Sequence, residues 1–226
     1  MIYEVRNVSK WFTKGPTIVR AVDGVDLEIE AGEFVALEGP SGSGKTTLLQ
    51  LLGALDRPSE GAVSFEGRDL AKLPDVELAR LRLNAFGFVF QQFNLIPTLT
   101  ALQNVEAKLA PAGVTGDALR ERSTALLAEV GLAERASHLP AQLSGGEQQR
   151  VAIARALATE PRVILADEPT GNLDSATGSD VIDLLAGLAA QHGATIVVAT
   201  HDAELAGRAP KRVAMRDGKI LSPLLA

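Results

Sequence analysis

Gly39-Pro40-Ser41-Gly42-Ser43-Gly44-Lys45-Thr46 places three glycines, a lysine and a threonine between an apolar run, Phe34 to Glu38, and a helix-prone one, Thr47 to Leu52. Glycines let successive backbone N–H groups turn inward on an anion, and the helix that follows points its positive end at the same spot. Lys45 adds a cation that spans terminal phosphates, and the Thr46 hydroxyl suits a hard cation such as Mg²⁺. The run matches G-x-x-x-x-G-K-[ST] in full, with a strand pattern before it and a helix pattern after it, so it is expected to be a phosphate-binding loop. A glycine-rich turn that happens to precede a helix would have to meet every position and both flanks at once.

Such a loop needs a second anchor for its metal. Val163-Ile164-Leu165-Ala166 is a short apolar run that ends in Asp167-Glu168. Asp167 fits the metal role, through water, and Glu168, one residue on, turns to the other side, toward the place of an attacking water. Glu168 is therefore the candidate general base, a role worth about 10² to 10⁴ in rate. Two solvated acids before Pro169 are the plain alternative, weakened by the phosphate loop upstream. Leu143-Ser144-Gly145-Gly146-Glu147-Gln148-Gln149-Arg150 again leads small residues and a hydroxyl into a helix, expected over Gly146 to Thr159. It is a second candidate anion site, or else an ordinary capped helix start. One loop already cradles one nucleotide, so a second anion site most economically serves a nucleotide held by another copy. Two-fold symmetry then gives two sites per dimer, each built from both subunits.

Strands must carry these residues. Period-two or β-branched runs are expected as strands at Tyr3 to Val8, Val25 to Glu30, Phe34 to Glu38, Ala62 to Phe65, Phe86 to Phe90, Arg162 to Ala166, Thr195 to Ala199 and Arg212 to Met215. Helices should begin near Lys45, Asp75, Gly116, Gly146, Ala176 and Asp202. The runs at 163–166 and 195–199 are apolar throughout, as in strands covered on both faces, which implies an α/β fold with a parallel sheet. From Leu99 to Gln142 the strand signals give way to Leu/Ala-rich helical patterns, expected to form an inserted helical subdomain. With 226 residues, 46% hydrophobic and 22% charged, the chain can bury a sizeable core and lacks the signature of disorder. Its 22 basic against 28 acidic residues, net −6, speak against a broad basic face for nucleic acid. No cysteine is present, which excludes disulfides and thiolate chemistry. Met1 to Lys10 alternates and lacks the apolar core of a secretory signal, and the most apolar windows are far short of the roughly 20 residues that span a bilayer. A membrane role would rest on another polypeptide.

In the order of these motifs along nearly the whole chain, the sequence resembles the nucleotide-binding subunit of an ABC transporter. The match consists of the phosphate loop, the signature Leu143-Ser144-Gly145-Gly146-Glu147-Gln148, the acid pair, the loop Gly171-Asn172-Leu173-Asp174, and His201. Gln91 matches the family's Q-loop glutamine and His201 its γ-phosphate histidine. Within the family, Phe88-Val89-Phe90-Gln91-Gln92-Phe93-Asn94-Leu95 and Asp167-Glu168-Pro169-Thr170-Gly171-Asn172-Leu173-Asp174 resemble the branch of lipoprotein-releasing, macrolide-export and cell-division ATPases. Family members stack adenine on an aromatic near the N-terminus. Phe12 fits by its spacing after Lys10, with Trp11 beside it, and which of the two stacks stays open.

The resemblance implies a P-loop NTPase core of RecA type with a parallel sheet, an N-terminal antiparallel β subdomain and the helical insertion. It covers 1–226 as one ATPase domain, with the helical subdomain at 95–154 between 1–94 and 155–226. It implies ATP and Mg²⁺ as ligands. Phe12, Gly39, Pro40, Ser41, Gly42, Ser43, Gly44, Lys45, Thr46, Thr47 and Asp174 would bind nucleotide, with Ser144, Gly145 and Gly146 acting from the other copy. Thr46, Gln91 and Asp167 would hold the metal, and Glu168, His201, Lys45 and Gln91 would act in hydrolysis. A homodimer closes on two MgATP and drives separate membrane subunits, docked beside Gln91 through Phe93, Leu95, Ile96 and Pro97. The branch favours export or extraction from the membrane, with the chain peripheral on the cytoplasmic face. A regulatory ATPase that switches a membrane signalling partner needs the same site. A soluble DNA-repair or translation ATPase is weakened by the negative charge, the single cassette and the lack of a long coiled-coil insertion.

Overall fold

Alternation of buried and exposed residues at the N-terminus, and unbroken apolar runs at the centre, produce two kinds of sheet. A computed structural model describes residues 1–15 and 17–225; Pro16 and Ala226, inside the expected domain range, lie outside the described residues. In chain order the elements are β1 (Tyr3–Lys14), β2 (Thr17–Ile29), β3 (Phe34–Glu38), α1 (Lys45–Leu52), β4 (Glu60–Phe65), β5 (Arg68–Asp69), α2 (Asp75–Asn84), β6 (Phe86–Phe90), α3 (Ala101–Leu109), α4 (Gly116–Glu129), α5 (Gly145–Leu157), β7 (Val163–Asp167), α6 (Ser175–Gln191), β8 (Thr195–Thr200), α7 (Ala203–Ala206), β9 (Lys211–Arg216) and β10 (Lys219–Leu225). They fall into two compact units, residues 1–79 with 195–226, and residues 80–194.

The first unit holds both sheet types. An antiparallel sheet runs in the order β2-β1-β4-β5. Along β2 the buried residues are Val22, Val25, Leu27 and Ile29, the pattern of a sheet with one packed and one wet face. Tyr3 is fully buried; its hydroxyl donates to the Leu52 carbonyl at 2.9 Å, and burial pushes its pKa well up. The second set has the order β10-β9-β3-β8, with β3 parallel to both β8 and β9. Every residue of β8 is buried, the apolar run Ile196 to Ala199 and the two flanking threonines alike. The helix α1 packs on β8 and β4 through Leu48, Leu49, Leu51 and Leu52, and α7 packs on β3 and β8.

The hairpin β1–β2 runs further than the strands expected at Tyr3 to Val8 and Val25 to Glu30. Pairs Trp11–Arg20, Phe12–Val19 and Thr13–Ile18 continue the ladder, while Glu30 falls beyond its end. Thr17 to Arg20 are all exposed, so the sequence carries no burial alternation there. Two strands, β5 and β10, were not expected at all. For β10 a turn signal exists, since Asp217 and Gly218 both take positive φ, 49° and 79°, as a tight hairpin requires.

The second unit builds helices around a two-strand parallel ladder of β6 and β7. The expected helical span 95–154 lies wholly within this unit. Gly87 is obligatory because a Cβ there would stand 2.5 Å from the Ala156 carbonyl of α5. Val105, Leu126, Leu127 and Ile153 are fully buried where α3, α4 and α5 pack together. The start of α3 is fixed by a reciprocal cap between Thr100 and Gln103, and α5 begins at Gly145, one residue before the expected Gly146.

Candidate functional site

The chain leaves β3 into the phosphate loop, and two glycines decide its course. At Gly39 a Cβ would meet the Met215 carbonyl at 2.2 Å, and at Gly44 the Ala21 carbonyl at 2.1 Å. Gly42 and Gly44 also take φ of 81° and 101°, open only to glycine without strain. Gly44 is the N-cap of α1 and supplies no side-chain cap, so the first turn, Lys45, Thr46 and Thr47, presents its backbone toward the loop. Pro40, Ser41, Gly42 and Thr46 are exposed, whereas Ser43 and Lys45 are 2% and 5% exposed. Lys45 folds back to donate from Nζ to the Gly39 carbonyl at 2.7 Å and the Pro40 carbonyl at 3.1 Å. The Ser43 hydroxyl is buried without a hydrogen-bond partner, which is unusual enough to call for a ligand.

Other expected nucleotide residues of this unit stand as follows. His201 is exposed just after β8, and the next residue, Asp202, caps α7 by accepting from the Glu204 and Leu205 amides at 2.8 and 3.3 Å. Phe12 is 44% exposed and Trp11 less so. The Lys10 ammonium lies 5.2 Å from the Phe12 ring centre and is itself anchored to Asp56 at 2.6 Å. The anchored cation therefore backs one side of the exposed Phe12 ring.

The second unit groups the remaining residues. Asp167 closes β7, and Glu168 follows at φ 45°, a left-handed conformation that costs an ordinary residue about 1 kcal/mol and recurs at active sites. The Gly171 amide donates to the Glu168 carbonyl at 3.0 Å. Gln91 is exposed at the end of β6 and exchanges hydrogen bonds with Asn172, 3.3 Å from its amide nitrogen and 2.8 Å to its carbonyl. Ser144 is the N-cap of α5, its hydroxyl accepting from the Glu147 amide at 3.3 Å while its own amide donates to Glu147 Oε2 at 2.8 Å. These bonds from Ser144, then the charge of Arg135, hold the Glu147 carboxyl below its ordinary value. Gly146 leaves no room for a side chain, since a Cβ would stand 2.5 Å from the Thr177 methyl, and at Gly145 it would touch Leu173 at 3.2 Å. Asp174 caps α6 by accepting from the Thr177 amide at 3.0 Å, which lowers its pKa.

Two positioning residues, Asn104 and Arg155, have no counterpart in the sequence analysis, and a third, Gln149, enters it only as part of the signature run. Asn104, fully buried on α3, accepts from the Ile96 amide at 2.8 Å and donates to the carbonyls of Ile96, Leu99 and Thr100 at 3.0 to 3.2 Å. Arg155 on α5 donates to the carbonyls of Phe93 and Asn94 at 2.8 and 2.5 Å, two residues with positive φ. Gln149, fully buried, donates to the Pro169 carbonyl at 2.6 Å. Together Asn104 and Arg155 pin both ends of the segment after Gln91. Asn104 stands among other polar residues of α3, Gln103, Glu106 and Lys108, so the sequence does not single it out.

The family model described as ABC transporter matches residues 22–171. A macrolide export ATP-binding/permease protein of Hyphomonas neptunium is 50% identical over 221 residues, 98% of this chain and 34% of that protein. An uncharacterized ABC transporter ATP-binding protein of Thermotoga maritima is 49% identical over 219 residues, 97% of this chain and 93% of that one. The chain thus spans about a third of the length of the macrolide-export relatives it matches. Among solved structures, an ATP-binding cassette described as a dimeric post-hydrolysis state bound to ADP and Pi aligns with TM-score 0.91 at 45% identity, over 98% of this chain and 97% of that one. A cassette from Clostridium perfringens, part of an ABC transporter complex, aligns with TM-score 0.88 at 28% identity, over 98% and 87%. The parallel core strands, the antiparallel sheet and the inserted helices are those of a P-loop NTPase of this kind. In family model, sequence and fold alike, the chain belongs to the ABC transporter family, as one of its ATPase cassettes.

Proposed function

We propose that residues 1–226 work as a single ATPase domain that dimerises around two MgATP and powers export or membrane extraction through separate membrane subunits. The observation that carries this reading is the phosphate loop: two sterically obligatory glycines, an inward-turned Lys45 and a buried Ser43 hydroxyl lacking a partner. That orphaned hydroxyl and the buried ammonium fit a phosphate chain. The expected metal donors, the Thr46 hydroxyl, the Gln91 carbonyl oxygen and the Asp167 carboxylate, are all hard oxygens and suit Mg²⁺. Among the described residues no cluster of three or more His, Asp or Glu could cage a metal, in keeping with an ion shared with phosphate and water.

In this account the loop amides and Lys45 neutralise the phosphate charge that builds up during transfer, and Phe12 stacks on the adenine. Mg²⁺, when bound, would neutralise charge on the terminal phosphates. Glu168 takes a proton from the attacking water at its carboxylate, and His201 holds the γ-phosphate and that water in line. Ser144, Gly145 and Gly146 serve the nucleotide of the other copy, and Asp174, at the start of α6, takes part in binding nucleotide. The relatives named macrolide export ATP-binding/permease proteins support an export role and a membrane partner. Among the described residues no helix is long and apolar enough to cross a membrane, so placement on the cytoplasmic face would come through that partner. The segment pinned by Asn104 and Arg155 presents Ile96, 44% exposed, as part of the docking surface with Phe93, Leu95 and Pro97. The test is Glu168→Gln: turnover should fall by about 10² or more with ATP still bound, whereas wild-type turnover would refute the base assignment.

A further inference from the structure

Two half-buried cations line one pocket of the second unit, and among the described residues neither faces a carboxylate. The pocket, about 240 Å³, is walled by Phe88, Phe90, Asn94, Lys108, Arg155 and Ala156. The rings of Phe88 and Phe90 stack in parallel, 5.9 Å between centres and 3° apart. Lys108 donates to the carbonyls of Arg82 and Phe86 at 2.7 and 3.3 Å, and Arg155 to those of Phe93 and Asn94. All these acceptors are neutral, and among the described residues no acid lies within ion-pair reach of either side chain. Burial, with Arg155 beside it, lowers Lys108 to about 8, and burial lowers Arg155 too. Two like charges taken partly out of water with no counter-ion destabilise a fold. A chain of net charge −6 has carboxylates in plenty, yet none is placed here. An ammonium has three donors and a guanidinium five, so each retains capacity for an anion from outside.

The stacked rings choose among anions. A bare phosphate would leave an aromatic wall uncovered, whereas an acidic side chain brings an aliphatic stem for the rings and a carboxylate for the cations. Arg155 is also the residue that pins Phe93 and Asn94, the start of the segment assigned to docking, so the pocket is continuous with that surface. We propose that this pocket receives an aspartate or glutamate side chain of the membrane subunit, its carboxylate bridging Lys108 and Arg155 while its stem lies against Phe88 and Phe90. The assignment rests on the membrane-partner reading above.

The test starts from the Glu168→Gln chain purified with MgATP from its native membranes and treated with a water-soluble carbodiimide, which joins an amine to a carboxylate in contact without a spacer. Mass spectrometry should find Lys108 coupled to an acidic residue of a multi-span membrane protein. If that protein copurifies and couples to other lysines but never to Lys108, the pocket assignment fails while the membrane-partner reading survives. If no membrane protein copurifies with a chain that still binds ATP, both fail. Lys108→Met gives an independent check, because removing an uncompensated cation should leave the isolated chain melting no lower than wild type while recovery of the partner falls at least about tenfold. A variant that melts normally and retains its partner in full would overturn the proposal.

Discussion

At the scale of single residues, backbone geometry separates structural need from chemical need. Gly44→Ala adds a Cβ against the Ala21 carbonyl at φ 101°, so it should lose about 2 kcal/mol or more, a fall of roughly 5 °C in Tm, together with nucleotide binding. Thermal melting with and without an ATP analogue reads both effects. Glu168, the proposed base, sits at φ 45°. Both Glu168→Gly and Glu168→Ala should abolish turnover, but the glycine variant should be the more stable by about 1 kcal/mol, because only glycine occupies that conformation freely. Equal melting of the two would remove the strain argument. The residues on which the proposed chemistry hangs, Lys45, Thr46, Asp167, Glu168 and Ser144, are proposed from the sequence because their spacing relative to strands and helices is itself the signal. The strain at Glu168 and the orphaned Ser43 hydroxyl were not legible there, since both arise from contacts with distant chain.

At the scale of elements, caps hold the signature helix and its neighbour. Ser144→Ala removes the α5 cap and should cost about 1 kcal/mol even in the absence of nucleotide. Glu147 and Asp174 have folded-state pKa values below their ordinary ones, each through backbone amides they cap. Their contribution is therefore complete above about pH 4.3 and is lost as pH falls through the depressed values. Glu147→Gln should flatten the acid side of the Tm against pH curve by lowering Tm near neutrality while leaving the most acid end unchanged; an unaltered acid limb would contradict the cap. The central strands were legible as unbroken apolar runs. The outer half of the β1–β2 hairpin was hidden because Thr17 to Arg20 are all exposed and show no alternation, and Asn104 and Arg155 escaped notice because they bond to backbone carbonyls, which no motif encodes.

At the scale of the whole molecule, the phosphate loop and His201 belong to one compact unit, and the acids, Gln91 and the signature to the other. The sequence order proposes both sets, and the signature is read as serving a second copy, since a lone cassette has one phosphate loop to serve. The central claim is a dimer closed by nucleotide. The direct measurement is the solution mass of the Glu168→Gln chain by light scattering, with and without MgATP, in parallel with a Glu168→Gln, Ser144→Arg double variant. The mass should double with MgATP in the first and stay that of a single chain in the second. A Glu168→Gln chain that binds MgATP and remains a monomer, or a double variant that still doubles, would contradict the account.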